Sequence, residues 1–261
     1  MNIPIRESVK AVIPHRFHRA IKRIFQEQGD VNLKWVLKSG IRISVASSAD
    51  WVIYNDIFVD GEYDVPILEC LRRWPSAQPI NVLDLGANVG YFTLRFADLA
   101  RRNGYNSVSY HVTMVEGSPT LAKELQTRIN LADGVESQVS IINGLIGKRE
   151  GFGKISETEF HPMNAIVHEG RYGVQVQYVD LSSFLEASEK IHLMKCDIEG
   201  SELQFIENYP DLLRNVESAV FELHPKVCDT NRCINLLKSA GFVHCELLRK
   251  TEDFMVAHFL R

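Results

Sequence analysis

A strand, a glycine-punctuated loop and a helix follow one another within residues 82–97, and this order limits the fold more than any other feature. Apolar residues of a buried strand flank Asp84, and an amphipathic run follows the loop. The loop carries Gly86, Asn88 and Gly90. Because open α/β sheets bind ligands at the carboxyl ends of their strands, the sequence predicts a ligand at this loop.

The residues of the loop indicate which ligand to expect. Its glycines remove side chains where a ligand lies against the backbone, and Asp84 places a carboxylate beside that ligand. Asn88 stands where the dinucleotide fingerprint has its middle glycine. An acid two residues before the first glycine is typical of S-adenosylmethionine (SAM) methyltransferases, so the loop favours SAM. We expect Ala87 and Phe92 to belong to the same site.

Two further predicted strands end in polar residues. The second, residues 110–115, is followed by Glu116, and an acid there accepts hydrogen bonds from ribose hydroxyls in doubly wound folds; a carboxylate that merely caps a turn is the alternative. Ser118 is predicted to cap the next helix, with Pro119 at its first position. The third strand, residues 139–142, ends near the expected adenine. The predicted cofactor contacts at these ends are Glu116, Gly117, Ser118, Asn143 and Gly144.

Composition narrows the class of protein. A chain of 261 residues fits one α/β domain with an N-terminal extension, or at most two domains. A net charge of −4 argues against a protein that binds nucleic acid over a large surface. The five cysteines show no paired metal spacing, which favours free thiols in a reducing cytoplasm. No apolar run reaches membrane-spanning length and no secretory leader is evident, so we expect a cytoplasmic location.

The first 25 residues interleave apolar and basic side chains, and Pro14 should divide them into two short amphipathic pieces. One interpretation is a segment that rests on an anionic membrane or on a lipid-linked substrate. The other is a helix that packs over the catalytic domain or against a second subunit, as in a homodimer. We assign residues 1–75 to this arm and a small α/β cap, and residues 76–261 to a SAM-binding domain.

The remaining elements are predicted from periodicity and turn residues. In the cap we expect short strands at 40–45 and 51–54 and a helix from about residue 63 to 73, and we interpret 144–173 as a loop or short-strand insertion. The second half is predicted to hold a strand at 174–179, a short helix from Asp180, strands at 192–196 and 218–224, a helix at 230–240, and a hairpin of 242–248 with 254–259. The hairpin would close an otherwise parallel sheet.

Five polar residues at the ends of the fourth and fifth strands form the predicted constellation, and four of them are the candidate catalytic group. These four are Asp197, Glu199, Glu222 and His224, and Asp197 is also predicted to lie beside the methionine part of the cofactor. The first, fourth and fifth strands should be neighbours, so these ends converge, and residues 222 and 224 share a strand face. Acids gathered at a ligand site are costly unless they share a cation, a donor or a proton. Glu202 is the fifth member, and the alternative for it is a first-turn helix acid that only faces the helix dipole.

The motifs together resemble the FkbM family of SAM-dependent methyltransferases across about residues 50–225. They are the runs 54–63 (YNDIFVDGEY), 82–90 (VLDLGANVG), 115–119 (VEGSP), 180–181 (DL) and 195–202 (KCDIEGSE). The resemblance implies a class I methyltransferase with a Rossmann-like, mostly parallel seven-stranded sheet. It also implies methylation of hydroxyl groups, often on sugars, glycolipids or natural products. Cys196 departs mildly, since an apolar residue is commoner there.

The chemistry expected is in-line transfer of a methyl group to a hydroxyl oxygen, which needs alignment and a base. His224, as a neutral imidazole, is the first candidate base and Asp197 the second. A divalent cation such as Mg²⁺, held by Asp197, Glu199 or Glu222, could instead acidify the hydroxyl.

Three alternatives stay open. A nucleic-acid methyltransferase is disfavoured because Asp197-Ile198-Glu199-Gly200 replaces the Asn/Asp-Pro-Pro-aromatic turn of base-amino methyltransferases. A nicotinamide dehydrogenase is disfavoured by Asn88 and by the lack of a Tyr followed four residues later by Lys. A catalytically silent SAM-binding or scaffolding subunit is disfavoured because the acids at each predicted cofactor position are intact.

Overall fold

The computed structural model describes residues 33–74, 79–105, 109–156, 173–185 and 190–261. The basic arm, residues 1–25, lies outside the described residues, and so do residues 157–172 of the predicted insertion. The expectations about membrane contact and a second subunit therefore stay predictions.

Strands and helices alternate along most of the described chain. The strands are β1 (Leu33–Val36), β2 (Arg42–Val45), β3 (Ile80–Leu85), β4 (Tyr110–Glu116), β5 (Val139–Asn143), β6 (Phe152–Ile155), β7 (Val174–Gln177), β8 (Leu193–Cys196), β9 (Ser218–Leu223), β10 (His244–Lys250) and β11 (Met255–Leu260). The α-helices are α1 (Ser48–Tyr54), α2 (Asp64–Arg73), α3 (Tyr91–Arg102), α4 (Pro119–Asn130), α5 (Glu202–Asn208), α6 (Pro210–Arg214) and α7 (Thr230–Ser239).

Seven strands form the central sheet in the order β10-β11-β9-β8-β3-β4-β5. Neighbouring strands from β9 through β5 run parallel, whereas β11 is antiparallel to both β9 and β10. The predicted mostly parallel sheet with a closing antiparallel hairpin is confirmed. Since β3 lies between β8 and β4, the loops that follow these three strands meet at one edge of the sheet.

Local signals place the helices next to that edge as predicted. The Ser118 hydroxyl accepts a hydrogen bond from the Leu121 amide, and Pro119 begins α4. The Asp229 carboxylate caps α7 by accepting from the Arg232 amide, and the helix ends just before Gly241. α3 begins directly after Gly90, with most of its residues buried against the sheet.

The cap differs from prediction at residues 51–54, which form the end of helix α1 rather than a strand. Ser47 begins this helix: its hydroxyl accepts from the Asp50 amide at 3.0 Å and donates to the Asp50 carboxylate at 3.0 Å. This reciprocal cap offsets the strand preference of the aromatic and β-branched residues that follow. The predicted strand at 40–45 is confirmed as β2, paired antiparallel with β1, and α2 is confirmed.

The described part of the cap shares its core with the sheet domain. Ile43, Ile67 and Tyr63 belong to the same buried cluster as Phe92 and Phe96 of α3. Tyr63 meets Phe92 edge-on, with ring centroids 5.3 Å apart. The boundary between residues 75 and 76 stays a prediction, but the packing joins the two sides in one hydrophobic core.

The predicted short strand at 174–179 is confirmed as β7. It pairs antiparallel with β6 in a two-stranded sheet that is separate from the central one. Its residue Ile155 is buried together with Leu145, just after β5. The short sheet therefore covers the space beyond the third core strand.

Two global features complete the description. The five cysteines, all among the described residues, are free. In the described ranges, no helix combines the length and apolar character that crossing a membrane requires.

Candidate active site

A cavity opens where β3, β4, β5 and β8 end. Its lining includes six predicted cofactor residues and two predicted catalytic ones, and Asp197 belongs to both groups. The lining residues are Gly86, Asn88, Val115, Glu116, Gly117, Leu121, Gly144, Leu145, Ile146, Ile155, Asp197, Ile198 and Glu199. The structure thus brings the ends of four core strands to one space, as the topology requires.

Glu116 fixes the wall of this cavity at the end of β4. Its carboxylate accepts one hydrogen bond from the Asn88 amide and another from the Ser118 amide, each 2.7 Å long. Burial raises the pKa of Glu116, while the amides of Ser118 and Asn88 lower it. The carboxylate therefore connects the glycine loop to the start of α4, as well as facing the cavity.

Asp84 lies beneath the cavity rather than in its lining. The carboxylate is fully buried and accepts a hydrogen bond of 2.8 Å from the Thr93 hydroxyl. Burial raises the pKa of Asp84, whereas Lys195 and Thr93 lower it. In the structure the Asp84 carboxylate contacts Thr93 of α3 and Lys195 of β8, and its contact with a ligand stays a prediction.

The other predicted cofactor residues lie around the cavity without lining it. Phe92 is buried against Tyr63, and Ser118 caps α4. The Asn143 side chain donates to the Glu116 carbonyl at 2.8 Å and so ties β5 to β4. Ala87 and Gly90 belong to the turn itself, where the Gly90 amide donates to the Ala87 carbonyl. These residues shape the site through ring packing, a helix cap and hydrogen bonds to the backbone.

The four predicted catalytic residues converge, together with Glu202. The His224 Nε2 lies 3.4 Å from Glu199 Oε2 and 3.5 Å from Glu222 Oε1. Its Nδ1 lies 3.3 Å from Glu202 Oε1. One imidazole is therefore surrounded by three carboxyl groups that come from the β8–α5 loop, the start of α5 and β9.

Burial and close charged neighbours change the pKa values of His224, Glu199 and Glu222. Burial opposes a charge on the imidazole, but hydrogen bonds to Glu202 and Glu222 outweigh it and raise the pKa of His224 to about 11. Burial and the nearby Asp197 carboxylate raise the pKa of Glu199 to about 8 and that of Glu222 to about 7. The raised pKa favours a charged imidazole over the predicted neutral one, and the role of His224 as the base stays a prediction.

Glu202 and Lys195 complete the site, and only Lys195 was not assigned to it from sequence. Glu202 is the first residue of α5, and its buried carboxylate also accepts from the Gly200 amide at 3.0 Å. Lys195 lies on β8 with its Nζ 3.2 Å from Asp197 Oδ2. A lysine inside an apolar strand was an available sequence signal for this residue.

Two acids of the cap, Asp56 and Glu62, lie beside the strand ends. Arg249 of β10 lies 3.0 Å from Asp56 and 3.4 Å from Glu62. Burial raises the pKa of Glu62 to about 8. The Arg249 guanidinium lowers this pKa, whereas the carboxylates of Asp56 and Glu222 raise it. These ion pairs join the cap to the closing hairpin of the sheet.

The donor set for a metal ion differs from the predicted one. Asp197, Glu199 and His224 offer ligand atoms that all lie within 4.8 Å of one another. This set includes an imidazole nitrogen in place of Glu222, whereas Mg²⁺ prefers oxygen ligands alone. His224 already provides a cation to the acids, so the Mg²⁺ expectation gains nothing from this geometry and stays a prediction.

Comparisons with known proteins bear on the family and the fold. The sequence matches the family described as "Methyltransferase FkbM domain" over residues 84–243. No curated protein matches this chain.

Solved structures with similar chains include two with SAH or SAM bound and one described as a carbon methyltransferase. The N-terminal domain of EvdMO1 with SAH bound has a TM-score of 0.49 and 15% identity, covering 93% of this chain and 96% of that one. The CurJ carbon methyltransferase has a TM-score of 0.49 and 9% identity, covering 82% and 55%. Fibrillarin from Aeropyrum pernix with SAM has a TM-score of 0.42 and 10% identity, covering 74% of each chain. Likenesses this distant say nothing about the acceptor.

The family match spans more than half of the chain and includes the glycine loop, Glu116 and the β8–α5 loop. The strand order places these segments around one cavity, as a class I methyltransferase requires. The chain belongs to the FkbM family of SAM-dependent methyltransferases.

Proposed function

We propose that this protein transfers a methyl group from SAM to a hydroxyl group of a small-molecule, sugar or lipid-linked acceptor. One observation carries the proposal: Glu116, the predicted ribose acid, lines the same cavity as Asp197 and Glu199, the predicted catalytic acids. A cofactor-binding acid and proton-accepting groups therefore face one space.

The described residues fit the cofactor. The Glu116 carboxylate accepts two backbone amides, and a carboxylate has about four lone-pair positions, so it can accept ribose hydroxyls as well. The side-chain oxygen of Asn88, in the cavity lining, is buried without a hydrogen-bond partner among the described residues. A buried polar atom of this kind is costly unless a ligand or water pairs with it.

Bound SAM supplies a methyl group attached to a positively charged sulfur. The acids around Asp197 and Glu199 favour a positive charge nearby. They also leave the site ready for a hydroxyl group, since a carboxylate accepts the proton that such a group donates.

The base that receives the hydroxyl proton is Glu199 or Glu222 in this proposal, rather than His224. A base works best when its pKa is near the working pH, and the pKa values of Glu199 and Glu222 are raised to about 8 and about 7. His224 then serves as the cation that holds both carboxyls in place. Asp197, on the cavity wall, orients the acceptor hydroxyl.

Calorimetric titration with SAM and S-adenosylhomocysteine (SAH) tests the cofactor. Glu116→Gln removes a charged acceptor of two amide hydrogen bonds. A single hydrogen bond to a charged group contributes about 1.5–3 kcal/mol. We expect SAH affinity to fall about 10- to 100-fold. Glu124→Gln, an exposed glutamate on α4, is the matched control and should bind like the wild type. A folded wild type that binds neither ligand would refute the proposal.

Transfer of a labelled methyl group then tests the acceptor class. Hydroxylated sugars and lipids should gain label in proportion to protein, and the label should resist the mild treatment that cleaves carboxyl esters. Binding of SAM without transfer to any hydroxyl acceptor, combined with a stable protein partner, would instead favour a silent SAM-binding subunit.

A further inference from the structure

Lys195 carries a buried cation for which the proposed methyl transfer has no use. It lies on β8, among apolar neighbours, and its side chain is only 5% exposed. In the sheet it pairs in register with Asp84 of β3. Burying an ammonium group is costly unless its charge and its hydrogen bonds are matched, so this position is informative.

The ammonium group joins three segments of the chain. The Lys195 Nζ donates to the Gly86 carbonyl at 2.6 Å. It lies 3.2 Å from Asp197 Oδ2 and 3.8 Å from Asp84 Oδ1. Burial alone would lower the pKa of Lys195, but Asp197 and Asp84 raise it above its ordinary value, so the group stays charged.

We propose that Lys195 is a positioning residue that holds the glycine loop and the end of β8 in the arrangement that binds the cofactor. The inference rests on the proposed function. Gly86 and Asp197 both line the cavity, whereas Lys195 lies under it. Because one ammonium group contacts the Gly86 carbonyl and the Asp197 carboxylate together, the two walls of the cavity keep one separation before any ligand binds.

The approach of the two walls is close enough to need such a contact. The Asp197 amide donates to the Leu85 carbonyl at 3.1 Å, and a Cβ atom added at Gly86 would overlap the Asp197 carbonyl oxygen. Without the ammonium group, two carboxylates would face each other near the loop with no cation, and repulsion would separate them.

Hydrogen exchange in the ligand-free protein is the first test. Lys195→Met should raise amide exchange at least tenfold in peptides that cover residues 84–90 and 197–200. Peptides from β9 should exchange as in the wild type. Lys190→Met, which removes an exposed lysine paired with Glu217, is the matched control. Unchanged exchange in both loop peptides of a folded Lys195→Met variant would overturn the proposal.

The pH dependence of SAH binding is the second test, and a mere packing role would not change it. Lys195 lowers the pKa of Asp84, so Asp84 retains its proton to higher pH when the ammonium group is removed. Lys195→Met should therefore bind SAH about 10-fold more weakly near pH 6, and the loss should grow to about 100-fold by pH 9, where the ionised carboxylates repel each other. Lys195→Arg keeps the charge and should restore the wild-type profile. A loss of equal size at every pH, shared by Lys195→Arg, would overturn the proposal.

The two tests separate this inference from the proposed function. If the wild type binds no SAH, the proposed function fails, and hydrogen exchange still decides the role of Lys195. If Lys195→Met does not fold, Lys195→Gln replaces it in both tests, because glutamine keeps an N–H donor for Gly86 but removes the charge. Wild-type exchange and binding in Lys195→Gln would refute the need for the cation.

Discussion

His224 balances the charge of three acids in the candidate site. Its imidazolium faces Glu199, Glu202 and Glu222, each within 3.5 Å. Buried acids without a cation would have to bind protons or repel one another. At the residue scale, His224 therefore stabilises the folded site through its charge, and this effect has a definite pH range.

His224→Gln should destabilise the protein, and the effect should decrease as pH rises. The folded-state pKa, about 11, exceeds the ordinary value of 6.5. The stabilisation is therefore complete below about pH 6.5 and is lost as pH rises towards 11. We expect the difference in Tm between wild type and variant to be largest near pH 6.5. His244→Gln, at an exposed site on β10, is the control. A difference that stays constant up to about pH 10.5 would contradict the assignment of charge.

Gly86→Ala tests the close approach of the glycine loop to β8. Gly86 has φ +73°, and an added Cβ would overlap the Asp197 carbonyl. Left-handed strain and overpacking together should cost about 2–5 kcal/mol and abolish SAH binding. Gly104→Ala is matched to it, with φ +84° but open space around the added Cβ. That control should cost only about 1–2 kcal/mol and should bind SAH normally. Equal losses in urea unfolding would disprove the steric argument.

At the scale of elements, N-cap residues decide which short segments become helices. α1 has only seven residues, too few for helix propensity to stabilise it alone. Its Ser47 cap and the ion pair between Asp50 and Arg128 of α4 hold it against the sheet domain. The aromatic residues that suggested a strand are instead stacked along one side, as in the pair Trp51 and Tyr54.

Ser47→Ala should therefore weaken the cap. The variant loses a hydrogen bond from the Asp50 amide and a donor to the Asp50 carboxylate. We expect the free energy of unfolding to fall by about 1 kcal/mol, measured by urea denaturation. Ser48→Ala, one residue later at the first helical position, is the control and should change stability by less than about 0.5 kcal/mol. A larger effect at Ser48 than at Ser47 would show that the helix begins elsewhere.

At the scale of the whole molecule, the cap and the sheet domain behave as one packed body. Asp64 of α2 forms a bidentate ion pair with Arg95 of α3, with contacts of 2.7 and 2.6 Å. Arg249 of β10 extends to Asp56 in the π-helical turn Asn55–Val59. Together with the shared hydrophobic core, these contacts join the cap to α3 and to the edge strand β10.

Unfolding should accordingly be a single transition. The three tryptophans, Trp35, Trp51 and Trp74, all belong to the described part of the cap, whereas most helices and strands belong to the sheet domain. Tryptophan fluorescence and far-UV circular dichroism should therefore report the same midpoint in urea. An earlier fluorescence transition would show that the cap unfolds separately.

The sequence alone determined the features that depend on neighbouring residues. The glycine loop between β3 and α3, the cap of α4 by Ser118 and the closing hairpin follow from local patterns, and the strand order then brings Glu116 and Asp197 together. The prediction of a strand at residues 51–54 was wrong because the Ser47 cap, four residues before this segment, outweighed its strand preference. The pairing of residues 174–177 depended on a partner about 20 residues earlier.

Only the tertiary structure decided the charge states. His224 is a charged imidazolium because Glu199, Glu202 and Glu222 surround it, although two of these acids lie more than 20 positions away in the sequence. Lys195 finds its partner, the Gly86 carbonyl, 109 residues earlier. Burial and electrostatic neighbours act through space, so the patterns that place a residue on a strand do not reveal whether it will be a base, a cation or a support.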